Sequence, residues 1–157
     1  MNKKKSFGIY LILCERKNLC YYDENVKFSR WKKLVYNALA GVDSGRLEIF
    51  GGVASIVSQT IDEILAIAES DGTFLPETIK EEMIRADDGI WCTPSMLVDL
   101  RKKNFIEYEV IVGNPMRIAM ENSLQVSNLK IIYSLLSGVQ KSLMETKGMI
   151  TLLKKGQ

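Results

Sequence analysis

The sequence predicts a mainly helical domain, and three observations carry that expectation. From about residue 25 onward, apolar side chains recur at three- and four-residue steps, the period that lines one face of an α-helix. Most glycines and prolines fall between these periodic stretches, where they start and stop helices. Strand-like apolar runs are confined to residues 1–24. With 157 residues, 46% of them hydrophobic, the chain is long enough to bury one core. The expected division is a short strand-forming appendage over residues 1–24 and a helical body over residues 25–157.

Phe7 to Cys14 and Leu19 to Tyr22 read as two strands joined by the polar turn Glu15-Arg16-Lys17-Asn18. A lone strand pair is marginal in water, so this pair is expected either to pack on the helical body or to be a remnant of something larger. After Asn25, the spacing of Trp31, Leu34, Val35, Ala38 and Leu39 predicts a first helix that stops at Gly41. A long helix is expected from Val53 to the stop at Asp71-Gly72, with Ile56, Val57, Thr60, Ile64, Leu65 and Ile67 on its inner side. Pro76 opens another, through Arg85, carrying Ile79, Met83 and Ile84. Thr93-Pro94 reads as an N-cap and first-turn proline before Met96, Leu97 and Leu100. A turn at Lys102-Lys103-Asn104 leads to a helix over Ile106 to Asn122, kinked at Gly113 and Pro115. The last helix spans Asn128 to Lys147, with Ile131, Ile132, Leu135, Leu136, Val139 and Leu143 as its inner stripe.

Composition narrows the chemistry. Twenty-one basic residues against 19 acidic leave a net charge of +2, without the concentrated basic excess that nucleic-acid binding requires. The one basic run, Lys3 to Lys5, reads as a solvated tail. Histidine is absent, which excludes a Ser-His-Asp triad and any His-containing zinc site. Cys14, Cys20 and Cys92 have no metal-ligand spacing, so free thiols in a reducing cytoplasm are expected, with no metal. Cys92, beside Trp91, reads as a buried structural thiol. The apolar run after Lys5 is closed by Glu15-Arg16-Lys17, lacks a cleavage site and is too short to span a bilayer. No membrane association is expected.

Four polar residues can be assembled into an acid-binding site. Lys33 and Asn37 are four apart and project from one face of the first helix. Ser95 and Glu107 each fall in the first turn of a helix, where unpaired N–H groups favour an anion. On the residue pattern alone the plainer reading is the stronger one: a solvated helix face for Lys33 and Asn37, and two ordinary first-turn residues in Ser95 and Glu107.

The segment Trp31-Lys32-Lys33-Leu34-Val35-Tyr36-Asn37 resembles the W-x-K-L-x-x-N helix of ketopantoate reductases. Ser95-Met96-Leu97-Val98-Asp99, followed by Glu107, is similar to that family's S-M-x-x-D segment, with the same interval from serine to glutamate. Gly113-Asn114-Pro115, with Arg117 and Ala119, resembles the helix that continues from it. The resemblance implies the family's helical C-terminal substrate domain. It also implies a chemistry, the NADPH-dependent reduction of 2-dehydropantoate to pantoate, on the way to pantothenate and coenzyme A. On that basis Lys33 is the general acid, Glu107 the carboxylate that positions lysine and substrate, and Asn37 and Ser95 the groups that orient the acid. A general-acid role suits a lysine, because the developing alkoxide needs a nearby cation.

The sequence departs from the family pattern twice. It contains no G-x-G-x-x-G, so the dinucleotide-binding Rossmann half is expected to be absent, and NADPH to be bound mainly by a domain outside this chain. A second substrate asparagine, expected one turn after Asn37, is replaced by Gly41. Roughly two helical turns, on the order of 10 Å, are missing there. The expected activity is therefore that of a substrate-binding half, inactive alone and active only with a Rossmann domain supplied by another chain; the expected partners are the 2-oxo acid and either such a chain in trans or a second copy in a homodimer. The competing expectation is an oxyacid-binding or dimerising module without turnover.

Overall fold

The computed structural model describes residues 9–10, 21–22, 25–38, 51–86 and 93–151. Two short strands, β1 (Ile9–Tyr10) and β2 (Tyr21–Tyr22), pair antiparallel with Ile9 opposite Tyr22 and Tyr10 opposite Tyr21. They lie inside the two expected strands; the remainder of that segment, with Cys14 and Cys20, is outside the described residues. So are Leu39, the stop at Gly41, the shortened stretch that follows it, and the Trp91-Cys92 pair.

The rest is helical, as expected. Helices α1 (Val26–Ala38), α2 (Gly51–Ser70), α3 (Ile79–Ile84) and α4 (Ser95–Arg101) come first. A π-helical turn, Glu109–Gly113, then leads into α5 (Asn114–Glu121), and α6 (Ser127–Thr146) closes the domain. No helix among the described residues is long and apolar enough to cross a membrane.

Helix α2 is the hub, packing against α1, α5 and α6, while α3 packs on α1. Its inner face, Val57, Ile61, Ile64, Ile67 and Ala68, meets Trp31 and Val35 of α1, Ala119 of α5, and Val126 and Leu129 around the start of α6. Ile61 and Ile67 are sealed completely. Each such side chain contributes about 1.5–3 kcal/mol from removal of apolar surface from water. Thr60 is also buried, and its hydroxyl is satisfied by donation to the Ile56 carbonyl at 2.7 Å. Ile56 itself, expected on the inner side, faces solvent.

Two carboxylates, one in the turn that ends α2 and one within that helix, fix the helices relative to one another. Gly72 adopts φ +75°, the left-handed turn that ends α2 and lets Thr73 N–H donate to the Ala68 carbonyl. In that turn the Asp71 carboxylate accepts from the Trp31 indole at 3.1 Å and pairs with Lys27 at 3.0 Å, tying α1 to the end of α2. Across the core, Glu63 of α2 accepts the N–H groups of Asn128 and Leu129, each at 2.9 Å. A carboxylate from one helix thus caps the open N-terminus of another.

Three local expectations are corrected. Thr93 does not cap α4: Pro94 takes that position with ψ 142°, outside the helical region, so the helix begins at Ser95. The expected kink at Gly113 and Pro115 is a π turn, in which the Asn114 N–H reaches back to the Glu109 carbonyl. Pro115 lacks the N–H that an uninterrupted α-helix would use there. In α6 the buried side is set by Leu129, Ile132, Leu136 and Leu143, whereas Ile131 and Leu135 are 60% and 66% exposed. Each of those two stands one residue, and so about 100°, away from the inward stripe.

A candidate oxyacid-binding cavity

The two faces of α1 have different neighbours. Trp31 and Val35, four apart, are buried against α2. Lys33 and Asn37, also four apart, lie two residues further round, about 200° away at the α-helical period. That second face opens on a cavity of about 520 Å³. Helix α4 and its lead-in supply the facing wall through Thr93, Pro94, Ser95, Met96, Leu97 and Leu100. Ile106 and Ile111 flank the start of the π turn, Leu136 and Val139 come from α6, and Tyr36 completes the lining.

The structure therefore brings Lys33, Asn37 and Ser95, far apart in sequence, to one concavity. Lys33 is the only charged side chain among the described residues that line it. None of these three side chains has a hydrogen-bond or ion-pair partner among the described residues. An ammonium, an amide and a hydroxyl thus stand available beside an apolar surface, a donor set that suits a small carboxylate and its neighbouring carbonyl. Helix α4 has only seven residues. The Thr93 and Ser95 hydroxyls, rather than a long helix dipole, are what this wall offers an anion.

Glu107 lies differently. Its neighbour Ile106 is buried in the cavity wall, but Glu107 is exposed and does not line the cavity. Its carbonyl accepts the N–H groups of Val110 and Ile111 and so helps to start the π turn. Gln140 of α6 holds this stretch by accepting the Ile106 N–H at 3.0 Å.

Behind the wall lies a cluster that the residue pattern did not show. Glu109 accepts the Tyr133 phenol O–H at 2.6 Å and the Arg117 guanidinium at 3.0 Å; Arg117 also donates to Asn114 at 2.6 Å. The Tyr133 bond, then Arg117, holds the Glu109 carboxyl below its usual range. Donation to that carboxylate, with some loss of solvent, pushes the Tyr133 phenol up to about 12. Gly113 sits against this cluster: a Cβ there would come within 2.6 Å of a Glu109 carboxylate oxygen and 3.2 Å of the Tyr133 ring. These residues meet only because the π turn packs on α6, which no short-range spacing reports.

With fold and cavity described, the comparisons with known proteins define the class. The family of ketopantoate reductase PanE/ApbA C-terminal domains matches residues 25–140. The chain belongs to that family, and it corresponds to the family's C-terminal helical domain. The uncharacterized protein YDL144C of Saccharomyces cerevisiae is 37% identical over 148 residues, covering 87% of this chain and 42% of the yeast protein. A 2-dehydropantoate 2-reductase of a Nostoc species is 30% identical over 120 residues, covering 70% of this chain and 37% of that enzyme. Among solved structures, the 2-dehydropantoate 2-reductase of Methylococcus capsulatus superposes with a TM-score of 0.65 at 30% identity, covering 82% of this chain and 46% of that one. The chain spans about two-fifths of the length of the curated relatives it matches.

Proposed function

We propose that this chain is the oxo-acid-binding half of an NADPH-dependent 2-oxo-acid reductase. The family relationship puts 2-dehydropantoate first among its substrates. The observation that carries the reading is the convergence of Lys33, Asn37 and Ser95 on a cavity with no other charged side chain among its described lining. Lys33 and Ser95 are themselves exposed, so the pair offers an anion a solvent-accessible cation and hydroxyl beside an apolar surface.

In this reading the Lys33 ammonium holds the carbonyl oxygen and gives it a proton as hydride arrives at carbon. Asn37 and Ser95 hold the carboxylate, which fixes the face of the carbonyl that is presented. Glu107, the residue after the cavity-lining Ile106, is the carboxylate that would position Lys33 once the acid is bound. NADPH supplies the hydride when bound. No strand, glycine turn and helix among the described residues form a pyrophosphate cradle, so the dinucleotide contacts belong to a partner domain.

The test supplies a dinucleotide-binding domain from an intact relative in trans, with NADPH and 2-dehydropantoate, and follows cofactor oxidation. Turnover is expected to be slow, because the shortened segment after Asn37 loosens positioning. Restoring two helical turns with a second asparagine should raise it, and Lys33→Ala in the restored protein should then lower it about 10²–10⁴-fold. Equal activity with and without Lys33 would sink the assignment.

A further inference from the structure

We propose that Glu109, Tyr133 and Arg117 are positioning residues of the oxo-acid cavity: they hold the π turn in the register that keeps Ile111 in the cavity wall. The inference rests on the reading of this cavity as a 2-oxo-acid site and concerns what fixes its shape. At the end of the turn the Asn114 N–H donates to the Glu109 carbonyl. A return to α-helical pairing would give that N–H to the Val110 carbonyl and rotate the residues ahead of the turn by about 100°. Ile111 lines the cavity, whereas Val110 beside it is 62% exposed. Such a rotation therefore changes which side chain faces the ligand.

The cluster bridges this turn. Arg117 donates to the Glu109 carboxylate, to the Glu109 carbonyl at 3.3 Å and to the Asn114 side chain, so one guanidinium spans both ends. Tyr133 ties the same carboxylate to α6 at 2.6 Å. Gln140, about two helical turns further along α6, holds the Ile106 N–H. The stretch from Ile106 to Glu109 is thus fastened at both ends to the helix that gives Leu136 and Val139 to the same cavity. Gly113 leaves the room this needs, since a Cβ there would displace the Glu109 carboxylate. The Arg117 and Glu109 side chains are 54% and 46% exposed, so their pairing adds little to stability. What the bonds determine is the register of the turn.

Calorimetric titration of the full chain with 2-dehydropantoate tests the proposal, with Lys33→Ala as the control for binding in the cavity. Tyr133→Phe removes one hydroxyl and keeps the ring that packs 5.3 Å from Tyr108, and a denaturant midpoint confirms that the variant is folded. It should weaken binding about 3–10-fold, the worth of one hydrogen bond, and shift the Ile111 methyl resonance. In an Ile111→Ala background the same change should cost less than about 2-fold, because the side chain through which it acts is gone. Glu109→Leu should weaken binding at least as much as Tyr133→Phe, and Glu109→Gln, which keeps one acceptor oxygen, should recover part of the loss. If Tyr133→Phe leaves a Lys33-dependent affinity and the Ile111 resonance unchanged, or costs as much with Ile111→Ala as without it, the positioning proposal is overturned while the 2-oxo-acid site stands. If no binding depends on Lys33, the site itself is misread and the positioning proposal falls with it.

Discussion

The two faces of α1 differ in what their side chains meet. On one side, Trp31 and Val35 are packed into the α2 core, with the Trp31 indole held by Asp71. On the other, Lys33 and Asn37 stand at a cavity without partners among the described residues. The first face spends its contacts on the fold; the second leaves its donors unspent. A site that must receive a ligand has to keep hydrogen-bonding capacity the fold does not use, and the helical period separates the two demands.

The sharpest way to break this contrast is to exchange the damage. Ile61→Ala on the core side should lower unfolding stability by about 2–5 kcal/mol, read from a denaturant midpoint, since Ile61 is fully buried. Lys33→Ala on the cavity side should change stability by no more than about 0.5 kcal/mol. Comparable losses from both would show that the cavity face is structural. A smaller effect is expected where the core meets α6. Glu63→Ala removes the carboxylate that caps Asn128 and Leu129 and should cost about 1–2 kcal/mol, while Glu63→Gln, which keeps one acceptor, should cost less.

The cluster behind the cavity predicts a pH dependence. Tyr133 has its folded pKa raised to about 12 from an ordinary value of 10. Its contribution to stability is therefore complete below about pH 10 and lost as pH rises toward 12. Glu109, with a lowered pKa, contributes above the usual carboxylate range, and that contribution is lost as pH falls through its folded value. Both groups are solvent-facing, so the effects are small. Glu109→Gln should return the Tyr133 titration toward 10, followed by phenolate absorbance; an unchanged titration would mean that the bond does not form in solution. Smallest of all, Lys103→Gly should stabilise by up to about 1 kcal/mol, because Lys103 ends α4 at φ 58° and glycine adopts that conformation without strain.

Periodicity made the helices legible because their buried faces repeat at the period of the helix itself. It failed where the partner decides. Ile131 and Leu135 are as apolar as Ile132 and Leu136, and only the direction of α2 and the π turn selects which pair turns inward. Pro115 announced a disturbed helix but not its form, since proline removes a donor without saying how the preceding carbonyls are satisfied. Lys33, Asn37 and Ser95 were found through family spacing; their convergence required the fold. Glu63 and Gln140 gave no sequence signal, because each acts on backbone N–H groups many residues away.

The central claim is that Lys33, Asn37 and Ser95 act together on one acid. Titrating isotope-labelled chain with 3-methyl-2-oxobutanoate and following nuclear magnetic resonance shifts tests it most directly. The account predicts that the Lys33 ammonium, the Asn37 side-chain amide and the Ser95 backbone amide move together with a single dissociation constant, and that Lys33→Ala abolishes the shifts at the other two. Shifts centred elsewhere on the domain, with these three silent at saturating acid, would contradict it.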